Sequence, residues 1–142
     1  MKKIDLIHSY LTQLVIEIKG KPHYKLLTYS VIVIDDDEDT VRLFSEFLEE
    51  NGIKVVGNGY DGKEAVRIYK EKKPDAVLID IMMPNGSGFY AIKQIRDINP
   101  DAKIIAVTAD MSPATEEKLD ALNVPKIYKP FKMENVINAI KS

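Results

Sequence analysis

The sequence predicts an α/β domain built as a doubly wound parallel sheet, on three observations. Short apolar runs rich in Val and Ile alternate with longer stretches of helical periodicity. Five such β/α units follow one another in about 112 residues, a spacing of about 22 that accommodates a strand, a crossover helix and their loops. Two of the apolar runs, Val31–Ile34 and Ala76–Ile79, show no in–out alternation, as expected of strands covered by helices on both faces. A chain of 142 residues that is 45% hydrophobic and 30% charged suits one compact domain and is too apolar for wholesale disorder.

Each element has a local reason. Val31–Ile34 is a strand that ends in Asp35, Asp36 and Asp37. A helix opens at Asp39 or Thr40 with Val41, Phe44, Phe47 and Leu48 on one broad inward face, and Asn51–Gly52 stops it. Ile53–Gly57 reads as a peripheral strand because its polarity is mixed. Asp61 or Gly62 opens the next helix, which runs through Lys72 with Ala65, Val66 and Ile68 inward. Ala76–Ile79 is a strand ending at Asp80, and the loop Met82–Gly88 leads into a helix from about Ser87 to Ile98 carrying Phe89, Ile92 and Ile95. Lys103–Val107 is the fourth strand, ending in Thr108. Ser112–Pro113 is an N-cap followed by a first-turn proline, and that helix ends near Leu122. Ile127–Tyr128 is a very short last strand before Lys129–Pro130, and Met133–Ile140 is a final helix with Val136, Ile137 and Ile140 inward. The whole reads as a (βα)5 sheet of flavodoxin-like type; the strand order 2-1-3-4-5 comes from fold analogy, since spacing alone does not establish it.

Charge divides the chain. Residues 1–29 hold five Lys against Asp5 and Glu17, a net of +3, so residues 30–142 carry -5 of the total of -2. That leading stretch, treated as an N-terminal extension to a domain over residues 30–142, spaces Ile4, Ile7, Leu11, Leu14 and Ile18 as on an amphipathic helix, while Leu14, Ile16 and Ile18 also alternate as in a strand. An apolar stripe of this kind covers its own domain, a second copy or a partner, and a disordered tail is the remaining alternative. No apolar run approaches the roughly 20 residues of a membrane span, and no signal peptide is formed, so a cytoplasmic protein is expected. The net charge is no electrostatic footprint for nucleic acid.

The chain contains no Cys, which excludes thiolate metal sites and cysteine nucleophiles. Both histidines, His8 and His23, lie in the extension, which leaves none for a triad or a histidine metal cluster in the main domain. What remains is a set of strand-end residues: Asp35 and Asp36, Asp80, Thr108 and Lys129. Each type alone is at home in a solvated loop or at a helix N-terminus; their joint placement at four strand ends, where an open parallel sheet gathers its ligand loops, makes the functional case. Close carboxylates need compensation, and Mg²⁺ supplies it with oxygen ligands, Asp35, Asp36, Asp80 and the backbone carbonyl of Met82 being the candidates. Lys129 and Thr108 would hold further phosphoryl oxygens while Asp80 attacks phosphorus. The loop Pro84–Gly88 fits neither the Walker nor the dinucleotide pattern, so nucleotide binding is disfavoured.

The stretches VIVIDDDED, DAVLIDIMMPNGSG, IIAVTA and YKPF, in this order, resemble the receiver domain of two-component response regulators, including the single-domain chemotaxis type. The resemblance implies that Asp35 and Asp36 are the acidic pair for Mg²⁺, Asp80 the phosphoacceptor, Met82 the carbonyl ligand, Thr108 the switch hydroxyl and Lys129 the active-site lysine, with a cis Lys129–Pro130 bond. It implies a phosphohistidine donor on a histidine kinase or phosphotransfer protein, and a self-catalysed phosphotransfer and slow dephosphorylation in a protein that mainly signals. With no output domain after Ser142, output is expected through contacts with a downstream target protein, or through a homodimer using the extension or the fourth-helix/fifth-strand face. Two departures stand out: some 29 residues precede Ser30, whereas receivers usually begin almost at strand one, and the residues just before Lys129 differ from the usual pattern. Lys126 occupies the place three before the lysine where receivers usually carry an aromatic residue, Tyr128 lying only one before it, so a non-standard surface is expected around the fourth helix and fifth strand. Met82 and Asp110 occupy the positions that tune phosphoryl lifetime, and the bulky apolar Met82 predicts an acyl phosphate that is not especially short-lived. The alternatives are a phosphorylation-independent interaction module and a phosphatase of haloacid-dehalogenase type, which would need an acid where Met82 stands.

Overall fold

The computed structural model describes residues 28–142. The expectations about residues 1–27, helical or strand-like, lie outside the described residues. Five strands, β1 (Ser30–Ile34), β2 (Lys54–Gly59), β3 (Ala76–Ile79), β4 (Ile104–Thr108) and β5 (Lys126–Tyr128), form one parallel sheet in the order β2-β1-β3-β4-β5. Five helices connect or follow them: α1 (Glu38–Glu50), α2 (Gly62–Lys72), α3 (Ser87–Ile98), α4 (Pro113–Ala121) and α5 (Met133–Lys141). The predicted topology is the observed one. No helix among the described residues is long and apolar enough to cross a membrane.

Two core layers sandwich the sheet, and the strands supply them alternately. Val31 and Val33 of β1, Leu78 of β3 and Ile105 and Val107 of β4 pack with Val41, Phe44 and Leu48 of α1 and with Val136 and Ile140 of α5. Ile32 and Ile34, Val77 and Ile79, and Ile104 and Ala106 point the other way, onto Ala65 and Ile68 of α2, Ala91, Ile92 and Ile95 of α3 and Leu119 of α4. Burying both faces of the central strands explains the unbroken apolar runs.

Helix ends follow their sequence signals. The Asp61 carboxylate accepts from the Glu64 N–H and the Ser112 hydroxyl from the Thr115 N–H, as N-cap residues do. Gly52 takes φ +79° just beyond α1. Lys73 closes α2 in the left-handed region at φ 46°, a role that composition does not announce because lysine is no usual αL former.

Two expectations need correction. Phe47 does not face the core: it is 49% exposed, whereas Val41, Phe44 and Leu48 are buried. Its flank of α1 extends past the layer that β1 and α5 can cover. The second strand runs from Lys54 to Gly59 rather than from Ile53 to Gly57. Ile53 is buried in the preceding turn with its N–H bonded to the Leu48 carbonyl, and the β1–β2 register slips between Val31 and Ile32. Beyond that slip, Gly57 and Gly59 bring the strand under Ile68, where a Cβ at Gly57 would lie 2.6 Å from the Ile68 Cγ2.

Gly62 sits at the start of α2 against the backbone of Ser87, and a Cβ there would strike the Ser87 carbonyl and lie 2.9 Å from its Cβ. A methyl group can enter only by pushing α2 and α3 apart. Gly62→Ala is therefore expected to lower unfolding free energy by about 1–3 kcal/mol, read by urea denaturation; an unchanged midpoint would contradict this packing.

Candidate functional site

The parallel register builds the site. Ile34 pairs with Ile79, so the next residues, Asp35 and Asp80, leave the sheet side by side. The Asp80 N–H donates to the Ile34 carbonyl at 2.9 Å, and the Asp35 N–H to the Gly59 carbonyl at 3.1 Å, extending the ladder to both acids. Thr108 ends β4, and the Lys129 N–H donates to its carbonyl at 2.9 Å, which brings Lys129 to the same edge. The Lys129–Pro130 bond is cis, as expected.

Asp35 and Asp80 are both buried, and Asp36 is exposed. One carboxylate oxygen from each of the three lies within 4.8 Å of the others. Two such charges at that distance repel by roughly 3–4 kcal/mol at an effective dielectric of about 20. The protein offsets this in part. Lys129 Nζ lies 2.8 Å from Asp35 Oδ2 and 3.6 Å from Asp80 Oδ2. The Asp37 N–H donates to Asp35 Oδ1 and the Met82 N–H to Asp80 Oδ1, each at 3.0 Å. Among the described residues, one ammonium against three carboxylates still leaves an excess of negative charge, the condition that a hard cation with oxygen ligands relieves.

The imbalance shows in the titration of the groups. Burial pushes the Asp80 carboxyl above the ordinary value; the Met82 N–H and Lys129 pull it down, but the charges of Asp35 and Asp36 push it up further, and the net shift is upward. Burial lowers Lys129, yet the bond to Asp35 and the charge of Asp80 more than compensate and hold it above the usual lysine value.

Thr108 is fully buried, and its hydroxyl oxygen accepts from the Asp110 N–H at 3.1 Å. Asp110 is occupied: its carboxylate accepts from the Ser112 N–H at 2.9 Å and from the Thr115 hydroxyl. The Thr115 bond, with those of Ser112, holds Asp110 below the usual carboxylate value. This lock of the β4–α4 loop is not apparent from sequence, although an acid two residues before Ser112–Pro113 is a signal that could have pointed to it. Met82 is 58% exposed, and its backbone stands beside Asp80 through its N–H. Lys126 lies half-buried on β5 and reaches back to α4, with Nζ 2.7 Å from Asp120 and 3.4 Å from Glu116. An ion pair thus ties α4 to β5 at the place discussed above for an aromatic ring.

The raised Asp80 carboxyl has a consequence for stability. Its folded value lies above the 3.8 of the free side chain, so the folded protein holds a proton more tightly than the unfolded chain. Folding is penalised once pH exceeds the folded value, and the penalty fades as pH falls toward 3.8 and below. Asp80→Asn is accordingly expected to raise the melting temperature at pH 7 without divalent ions, with the gain shrinking on acidification. A lower melting temperature for the variant at pH 7 would contradict the carboxylate crowding.

Comparison with known proteins agrees with this geometry. Residues 31–141 match the family model described as the response regulator receiver domain. The chain is 38% identical over 111 residues to the chemotaxis protein CheY of Thermotoga maritima, covering 78% of this chain and 92% of that protein. It is 32% identical over 115 residues to the chemotaxis protein CheY of Bacillus subtilis, covering 80% and 96%. Among solved structures, a two-component response regulator of the LuxR family from Aurantimonas sp. SI85-9A1 superimposes with a TM-score of 0.75 at 26% identity, over 81% of this chain and 84% of that one. With three acids and a lysine gathered at the sheet's edge and a family model spanning nearly all the described residues, the chain belongs to the response regulator receiver domain family, whose members accept a phosphoryl group on an aspartate and signal through protein contacts.

Proposed function

We propose that Asp80 is the phosphoacceptor of this receiver and that Asp35, Asp36 and Asp80, with the Met82 carbonyl, hold Mg²⁺. The observation that carries this reading is the approach of three carboxylates to within 4.8 Å with Lys129, among the described residues, as the ammonium that balances them. The donor set is all oxygen, which fits a hard divalent cation. Held there, Mg²⁺ would supply positive charge toward the incoming phosphoryl group.

The chain's own residues do the rest. Asp80 Oδ attacks phosphorus as the P–N bond to a histidine imidazole breaks; an O–P bond forms, and the imidazole leaves with the bonding pair and takes a proton. Asp80 is held for this step by the Met82 N–H, which fixes one carboxylate oxygen and leaves the other to react. Lys129 moves from its carboxylate partners to a phosphoryl oxygen, a shift of a point charge on a flexible stem. The Thr108 hydroxyl accepts from the Asp110 N–H and so keeps its proton for another phosphoryl oxygen. Asp110, bonded to Ser112 and Thr115, is not free to orient an attacking water, and Met82 carries no hydrogen-bonding side-chain group for one. Both features favour a phosphoryl group that is not especially short-lived.

The phosphoryl donor in this reading is a histidine kinase or phosphotransfer protein, the site of action cytoplasmic, and the readout a downstream target protein rather than nucleic acid. The α4–β5 surface, tied by Lys126 to Glu116 and Asp120, is the face that carries it. A homodimer through that face is the self-associating form of the same output. In the competing reading the fold is an interaction module that needs no phosphorylation.

Acetyl phosphate separates the two. Incubation with Mg²⁺ is expected to add about 80 Da, the mass of one phosphoryl group, in intact-mass spectra, and Asp80→Asn to abolish the addition. Persistent absence of the adduct in the unsubstituted chain with Mg²⁺ and several donors would favour the interaction module.

A further inference from the structure

The groove beside the carboxylate cleft is apolar, open and bordered by acids. Thr40, Leu43 and Phe47 lie on the flank of α1 that turns away from its buried face, at spacings of three and four. Leu43 and Phe47 are 47% and 49% exposed. With Phe131, whose ring meets that of Phe44 edge-on at 5.2 Å between centroids, they wall a groove of about 220 Å³ that reaches Asp35, Asp80 and Lys129. The outer surface of α1 next to it carries Glu38, Asp39, Glu46, Glu49 and Glu50 against Arg42 alone. An occupant of this surface needs an apolar stripe with basic flanks.

The chain contains such a segment outside the described residues. Ile4, Ile7, Leu11, Leu14 and Ile18 recur at three or four residues, and Lys2, Lys3, Lys19, Lys21 and Lys25 flank them. Its charge is opposite to that of the domain it precedes, which favours contact between them. The described chain also starts on the correct side. Tyr29 packs into the layer between the sheet and α1 with α5, the same face that bears the groove. From there the segment must climb the length of β1, roughly 17 Å, and residues 19–27 can span about 30 Å when extended.

We propose that residues 4–18 dock on their own domain, laying the apolar stripe in the groove formed by Leu43, Phe47 and Phe131, with the flanking lysines against the acids of α1.

Because the chain has no Cys, Leu11→Cys carries a single nitroxide label in the full-length protein. Amide signals of Leu43, Phe47 and Phe131 are expected to lose several-fold in intensity relative to the reduced label, while Tyr90, exposed on α3 across the sheet, keeps its signal. Phe47→Asp, at an exposed position, is expected to restore the Leu43 and Phe131 signals. No broadening along α1, or equal broadening at Tyr90, would overturn the docking. Broadening seen only when labelled chain is mixed with a separate isotopically enriched chain would assign the groove to a second copy and overturn the intramolecular arrangement.

Discussion

Three carboxylates are held at the end of a buried parallel sheet closer together than their charges favour. The constraint is covalent and topological. β1 and β3 pair in register, so Asp35 and Asp80 have no choice but to emerge together, and the ladder bonds to Ile34 and Gly59 fix their main chains there. Lys129, delivered by the β4–β5 pairing, removes part of the repulsion and leaves the rest as an unmet demand for positive charge. The proposed cation site, and the proposed reception of an anionic group there, rest on this incomplete neutralisation.

The surrounding packing serves that constraint. Both faces of β1, β3 and β4 are sealed by helices, so the strand ends cannot splay apart to relieve the charge. Gly57, Gly59 and Gly62 allow the edge strand and α2 to close tightly around the same end of the sheet. On the other side of the cleft the β4–α4 loop is braced by Thr108, Asp110, Ser112 and Thr115, and Lys126 fastens α4 to β5. A displacement of Thr108 would therefore disturb a loop joined to α4.

What could be read from the sequence was what depends on strand ends and alternation. The apolar runs of β1 and β3 have no competing interpretation, and the acids that terminate them stand at the same relative position because both strands enter one sheet. The exposure of Phe47 is not legible in the sequence because helical periodicity defines a broad apolar face without saying how much of it a neighbour covers; the sheet and α5 stop short of it. The limits of β2 were blurred because its ladder slips and its last residues are glycines, chosen for approach to Ile68 and Ile34 rather than for strand propensity. The engagements of Asp110 and Lys126 depend on where α4 sits against the sheet, a tertiary fact with no periodic signature.

The central claim is that the crowded acids form one divalent-cation site, and linked stability tests it most directly. A ligand that binds only the folded state stabilises it by RT ln(1 + [L]/Kd), so 10 to 100 times the dissociation constant of Mg²⁺ is worth roughly 1.4–2.7 kcal/mol. Thermal unfolding of the full chain with and without Mg²⁺ is predicted to show a clear rise in melting temperature that Asp35→Asn, in the inner acid of the pair, largely removes. A rise of equal size in that variant, or none in the unsubstituted protein at saturating Mg²⁺, would contradict the account.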